Sequence, residues 1–360
     1  LGNPKNPYRM NDYFKLDEEY GTDEDLKDFV YEAHKLGLKV MFDLVYFHCG
    51  PRAKLIDINK DFIKRLPDGT PDNGDWNFPK LNFDCPELCE YLWENMEYWV
   101  KNFDIDGYRC DVGDHVPLEF WREGVRRVKD IKPDFIMLNE GRKDEWIESG
   151  VFDANYCYWG FKQIFDLGEK NINKNLKAIK HINKQTMCFE NHDTASDEYE
   201  NRYERKFGKN VCDAMLVVTF TCGCVPFIYN GNEIADSCRH SLWNNRFYGK
   251  NLCVDWSEAL TKDGKNRTAL VKSLIKIYHN ISAINIGDIK VLTESADFTV
   301  YKKTHGDREV LVIANMTKDI QTVSLNGENL SDYQTLLSAR NIIDNNVVTL
   351  SDGGYLVLYK

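Results

Sequence analysis

Along most of this chain, apolar runs of strand length alternate with amphipathic stretches at helical spacing, and polar residues cluster where strand after strand ends. Thr22 and Asp25 form a capping pair, Leu26, Phe29, Val30 and Ala33 share a helix face, and Gly37 ends the element. A buried-strand run follows at residues 39–47. An irregular polar excursion from Cys49 to about Asp84 carries turn residues such as Pro67-Asp68-Gly69. Pro86 then opens a helix with Leu88, Tyr91, Leu92, Met96 and Trp99 on one side. Further strands are expected at 105–111, 135–140, 151–156, 186–190 and 225–229. Helices are expected from Pro117, near 162–179, ending near Gly223, and over about 266–284. From Gly287 the pattern becomes short alternating strands with Gly and Asn turns, an all-β tail.

Such repetition implies parallel strands with crossover helices, in a doubly wound sheet or a barrel. No Gly-rich phosphate loop follows any strand, and the polar clusters share one rim. Both observations favour a parallel (β/α) barrel of the TIM type. The expected domains are a catalytic barrel over 1–48 and 85–284, a small loop insert over 49–84, and a C-terminal antiparallel β-sandwich over 285–360. About six parallel strands are legible where a closed barrel needs eight, and residues 1–21 read as loop. The expectation is therefore a barrel incomplete at its N-terminus, completed by a missing N-terminal segment, a swapped copy or another chain.

A formal net charge of -11 argues against a nucleic-acid partner, because the long-range field repels phosphates. No apolar tract is long enough to span a bilayer, so no membrane partner is expected. Neutral sugars are not penalised, and 8 Trp, 19 Tyr and 19 Phe provide rings to stack on them. Eleven cysteines is an odd number, and the chain is too long to be a small disulfide scaffold. Cys222 and Cys224, and Cys85 and Cys89, are close in sequence, but neither pair has the second ligand pair of a structural zinc site. They read as free thiols, which favour a reducing compartment such as the cytoplasm.

Asp43 and His48 close the first strand, Arg109 and Asp111 the second, Glu140 the third, and Asn191-His192-Asp193 the fourth. One Asp after a strand is commonly a helix cap. Caps need no Arg or His beside them, so four such clusters at one rim read as a site. Cleavage of a glycosidic bond needs this inventory: one carboxylate attacks the anomeric carbon and a protonated carboxyl serves the leaving oxygen. Arg109 lies two residues before Asp111, on the same strand face, where it would hold that carboxylate ionised. Glu140 would have to stay protonated through burial or neighbouring carboxylates.

These residues resemble the α-amylase family of glycoside hydrolases. The resemblance rests on residues 42–48 (FDLVYFH), 107–111 (GYRCD), 138–141 (LNEG) and 189–193 (FENHD), in that order, with PKLN at 79–82 and PFIYNGNE at 226–233 in support. It implies a retaining hydrolase of α-glucosidic linkages in maltodextrin-like oligosaccharides, acting through a covalent glucosyl-enzyme. It implies Asp111 as nucleophile, Glu140 as acid/base and Asp193 as the third carboxylate. Arg109, His48 and His192 would contact the cleaved glucose, Tyr8 would be a stacking platform, and Asp43 would support the site. His115, with Asp114, stands where many α-amylases carry a Lys-His pair on the acceptor side. Many members have a calcium-holding Asn before the first His. Phe47 has no ligand atom there, so no cofactor is expected and calcium is disfavoured. Arg9 follows Tyr8 where many exo-acting members have Asp. Glucosyl transfer by the same first half-reaction, or an inactive family member kept for binding, are the alternatives.

Overall fold

Helix α1 (Asp23–Lys35) starts where the Thr22–Asp25 spacing predicts. The Asp25 amide donates to Thr22 Oγ1 at 3.2 Å, and the Thr22 amide donates to the Asp25 carboxylate at 2.7 Å. Leu36 caps its C-terminus, and Gly37, at φ +74°, turns the chain through a conformation that side chains resist.

The computed structural model describes residues 6–156, 171–197, 202–240 and 253–360. They fall into two compact units, residues 6–156 in one and the remainder in the other.

In the first unit, β1 (Met41–Leu44), β2 (Gly107–Cys110), β3 (Ile136–Asn139) and β4 (Ala154–Tyr156) pair in that order, all parallel. Between them run α2 (Lys54–Ile58), α3 (Pro86–Phe103), α4 (Leu118–Ile131) and α5 (Asp144–Glu148). This parallel strand–helix succession is that of the (β/α) barrel class. Gly107 sits where the strands crowd: a Cβ there would meet Ile136 O at 2.7 Å and Met41 Cε at 2.9 Å. The strands are shorter than the apolar runs that mark them. Beyond Leu44, Val45 and Tyr46 stay buried, while His48 forms an antiparallel bridge with Lys80 instead of extending the ladder. Tyr46 stacks on Trp121 with ring centroids 6.0 Å apart, and its hydroxyl donates to Asn95 Oδ1 at 2.6 Å, so the buried ring leaves no polar orphan. The polar excursion holds α2, a 3₁₀ turn at Lys60–Phe62 and antiparallel bridges Ile63–Leu81 and Arg65–Pro71.

In the second unit, β5 (Gln185–Met187) pairs in parallel with β6 (Val225–Pro226). Helices α6 (Ile172–Ala178), α7 (His192–Asp197), α8 (Lys209–Thr221) and α9 (Lys262–Asn280) accompany them. The N-terminal part of the helix expected near 162–179 lies outside the described residues. An antiparallel sheet follows, built from β7 (Asp288–Val291), β8 (Phe298–His305), β9 (Arg308–Asn315), β10 (Gln321–Ser324), β11 (Gln334–Asp344) and β12 (Val347–Tyr359). Long β12 pairs with β10 through its first residues and with β9 through its last, so the sheet curls around it. Alternation assigns its two faces. Leu311, Ile313, Leu356 and Leu358 pack inside the curl; Val310, Val312, Tyr355 and Val357 pack with α8 residues such as Val211 and Met215. Among the described residues, no helix is long and apolar enough to cross a membrane.

Candidate active site

The parallel register carries the polar clusters to one end of the first unit's sheet. Asp43 is the ladder partner of Arg109, the Asp111 amide donates to Leu44 O at 2.9 Å, and the Glu140 amide donates to Cys110 O at 3.0 Å. Asp43, Arg109, Asp111 and Glu140 therefore emerge side by side from β1, β2 and β3.

Arg109 organises them. Its Nη1 donates to Asp43 Oδ1 and Oδ2 at 2.8 and 2.7 Å and to Asp111 Oδ1 at 2.7 Å, and its Nη2 pairs with Glu140 Oε2 at 2.6 Å. Arg109, Asp111 and Glu140 are buried, while the Asp43 side chain is 38% exposed. Glu140 Oε2 also accepts the Val112 amide at 2.8 Å. Val112 is β-branched yet has φ +46°, a strained geometry that aims its N–H at the acid. Tyr8 donates its hydroxyl to Asp43 Oδ2 at 3.1 Å. The guanidinium lies 5.7 Å from the Tyr8 ring and 5.9 Å from that of Tyr156.

Burial pushes the Asp111 carboxyl well above the usual carboxylate range. Arg109 opposes the rise, and the Asp43 and Glu140 carboxylates reinforce it. The expectation that Arg109 holds Asp111 ionised is thus corrected: three carboxylates share one cation, and the surplus negative charge favours a retained proton. Arg109 itself stays charged, since the carboxylates around it outweigh its burial.

His48 lies in an aromatic setting, 5.0 Å from the Phe78 ring and 5.8 Å from Trp76 between centroids. Its Nδ1 is buried without a hydrogen-bond partner among the described residues, and burial pushes the imidazole down to about 4, so it is neutral at pH 7. His115 packs on Phe47 at 5.2 Å. Phe47, whose ring also contacts Trp76 and His48, is surrounded by aromatic groups rather than the oxygen ligands that calcium requires. These residues do not fit that ion.

Sequence reasoning passed over the supports. Buried Asn139 donates through Nδ2 to Asp114 Oδ1 and Asn155 Oδ1, both at 2.9 Å, and Asp114 Oδ2 accepts the Arg142 amide at 2.7 Å. A Cβ on Gly141 would collide with Asp114, so only glycine lets the loops after β2 and β3 approach this closely. Asp114 was visible only as a departure from a Lys-His pair, and Tyr156 only as the end of a strand.

His192 and Asp193 belong to the second unit, at the start of α7, with His192 Nε2 3.4 Å from Asp193 Oδ1. Asn191 fixes this turn: Oδ1 accepts the Thr194 amide at 3.0 Å, and Thr194 Oγ1 accepts the Asn191 amide at 2.9 Å. Glu190 accepts from Arg202 Nε at 2.9 Å, the Tyr203 amide at 3.0 Å and Asn232 Nδ2 at 3.1 Å.

A family profile described as "Alpha amylase, catalytic domain" matches residues 3–67. A maltogenic alpha-amylase of Bacillus acidopullulyticus is 29% identical over 346 residues, 87% of this chain and 57% of that protein. A cyclomaltodextrinase of a Bacillus species is 29% identical, covering 86% of this chain and 60% of its own. This chain thus spans less than two thirds of the length of these curated relatives. Among solved structures, a maltogenic alpha-amylase from Thermotoga neapolitana superposes with a TM-score of 0.80 at 22% identity, over 100% of this chain and 86% of that one. An Anoxybacillus alpha-amylase gives 0.77 at 23% identity, over 98% and 82%. The solved structures speak to fold, a parallel (β/α) barrel with a C-terminal β domain, and the family profile and the sequence relatives place the chain's similarity with α-amylase-type proteins.

Proposed function

We propose that this chain carries the catalytic machinery of a retaining glycoside hydrolase acting on α-glucosidic linkages in maltodextrin-like oligosaccharides. One observation carries the reading: Arg109 binds Asp43, Asp111 and Glu140 at the ends of three adjacent parallel strands. Carboxylates on the two terminal nitrogens of one guanidinium sit close together. That fits the ~5–5.5 Å spacing of retaining enzymes better than the ~6.5–9.5 Å of inverting ones. The names of the relatives, maltogenic amylase and cyclomaltodextrinase, support α-linked glucose as substrate.

In this mechanism the retained proton resides on Glu140 when substrate binds. Glu140 gives it to the glycosidic oxygen as the bond to the anomeric carbon breaks, and Asp111 attacks that carbon to form the glucosyl-enzyme. With the proton on Glu140, Asp111 attacks as the carboxylate, and positive charge developing on the sugar favours that ionised form. Glu140, now a base, draws a proton from water, which attacks the anomeric carbon and frees the enzyme. Asp193 is assigned to the distorted sugar ring, with His192 and the neutral His48 as hydrogen-bonding contacts. Tyr8 is the stacking platform and His115 a contact on the leaving-group side. No cofactor is required, and chelation of divalent cations should leave both melting temperature and activity unchanged. Loss of either on chelation would contradict that assignment.

The decisive experiment is trapping with a fluorinated α-glucosyl donor. The expected result is a covalent adduct mapped to the peptide containing Asp111. Turnover with inversion and no adduct would overturn the mechanism. Product analysis with maltotriose separates hydrolysis from transfer, since early formation of longer oligosaccharides marks transfer.

A further inference from the structure

Helix α8 runs out into Cys222-Gly223-Cys224, which turns the chain into β6. Gly223 has φ +104°, and a side chain there would collide with Lys303 Nζ, reaching in from β8. The turn and the amine are pressed together. Cys222, Cys224 and Lys303 are all fully buried at 0% exposure. Lys303 donates to the Gly287 carbonyl, and among the described residues it forms no ion pair with a carboxylate. A buried ammonium without a counter-charge is costly, so either the amine loses its proton or an anion faces it.

The groups nearest it are thiols, with the exposed Asp288 carboxylate acting from the start of β7. Cys222 and Cys224 both act electrostatically on Lys303, their side chains hydrogen-bond to each other, and Tyr278 of α9 faces both thiols. Cys222 Sγ also lies 3.6 Å from Met187 Sδ, the last residue of β5. The Tyr301 hydroxyl, bonded to Thr221 Oγ1 at 2.5 Å, sits beside the pair. The bond to Cys224 holds the Cys222 thiol below the ordinary range against its burial, and the Lys303 charge adds to this. Two cysteines separated by one residue in a turn have Cα atoms closer than the ~7 Å limit for a disulfide.

We propose that Cys222, Cys224 and Lys303 form a redox-modification site, a lysine-paired dithiol that hydrogen peroxide converts into a Cys222–Cys224 disulfide. The Cys222 thiolate attacks one peroxide oxygen and breaks the O–O bond, leaving a sulfenic acid on Cys222 and releasing hydroxide. That hydroxide takes up the proton Cys222 gave away. The Cys224 sulfur then displaces the hydroxyl from Cys222, its own proton leaving with that hydroxyl as water. Two thiols are oxidised and one peroxide is reduced to two waters. The neutral disulfide can no longer answer the charge of Lys303, so oxidation weakens the packing of β8 against α8 and β6.

The test treats the reduced full chain with hydrogen peroxide, alkylates the remaining thiols and maps the peptides by mass spectrometry. Exposed Cys253 is the internal standard. A dithiothreitol-reversible Cys222–Cys224 cross-link and a melting temperature lowered by several degrees are expected. Lys303→Met should slow the cross-link by about tenfold for each pKa unit that the thiol regains. Should that variant fail to fold, the native chain still decides: the cross-linking rate should reach its midpoint below pH ~8.5, the ordinary thiol pKa. Modification of Cys253 with Cys222 and Cys224 still reduced would overturn the site. So would an unchanged rate in folded Lys303→Met, or a pH profile centred on the ordinary thiol value.

Discussion

Strand β2 has an aspartate at each end, and the two could hardly differ more. Asp106, just before the strand, and Asp111, just after it, are both 5% exposed. Burial pushes each carboxyl up. At Asp106 that push loses to Lys132 at 2.8 Å, the Val40 amide at 2.7 Å and His34 Nε2 at 2.8 Å, and the group is held down at about 2. At Asp111 the cation among the described residues, Arg109, is divided among three carboxylates, and burial wins. Depth does not set the direction; the ratio of donors and cations to carboxylates does. On the proposed function, the start of the strand serves stability and its end chemistry, the division expected of a barrel enzyme.

Three substitutions would break or sharpen this contrast. Asp111→Asn should cost roughly 10⁴-fold or more in kcat on maltotriose, in line with removing a member of a catalytic constellation. Because the fold favours an uncharged group there, its melting temperature should not fall. A large loss of stability with activity retained would reverse the roles given to the two ends. Asp106→Asn should do the opposite, leaving kcat near wild type and costing about 2 kcal/mol in chemical denaturation at pH 7. The sign follows from the lowered value. Asp106 stabilises the fold above its unfolded pKa, near 4, and that contribution disappears as pH falls toward 2. The wild type and the Asn variant should therefore converge in stability in acid, which urea titrations across that window would measure. Lys132→Met is the smallest, about 1 kcal/mol at neutral pH, with the acid limb moved upward. No shift of that limb would mean that the Val40 amide and His34 suffice.

The strand ends of β1 to β3 were legible because parallel strands put chemistry at their C-terminal ends, and Asp43, Arg109, Asp111 and Glu140 follow that rule in linear order. The capping pair at α1 and Pro86 at the head of α3 were legible because their partners lie within one helical turn. Strand lengths were not, since Val45 and Tyr46 look like strand but are buried without ladder partners. Asp106 escaped notice for a related reason: its partners His34 and Lys132 come from other elements, and nothing local marks the residue. The same holds for Glu190, whose partner Arg202 is 12 residues away, and for Lys303 against the Cys222 turn. Pattern shows which residues reach a rim; it does not show how many cations arrive with them.

Val112 carries a last consequence. A branched side chain held at φ +46° costs on the order of 1–2 kcal/mol, and glycine would relieve most of it. An engineer seeking a hardier chain would therefore find Val112→Gly attractive. The same exchange would loosen the hinge whose amide steers the acid, so heat tolerance and turnover should trade against each other at this one position.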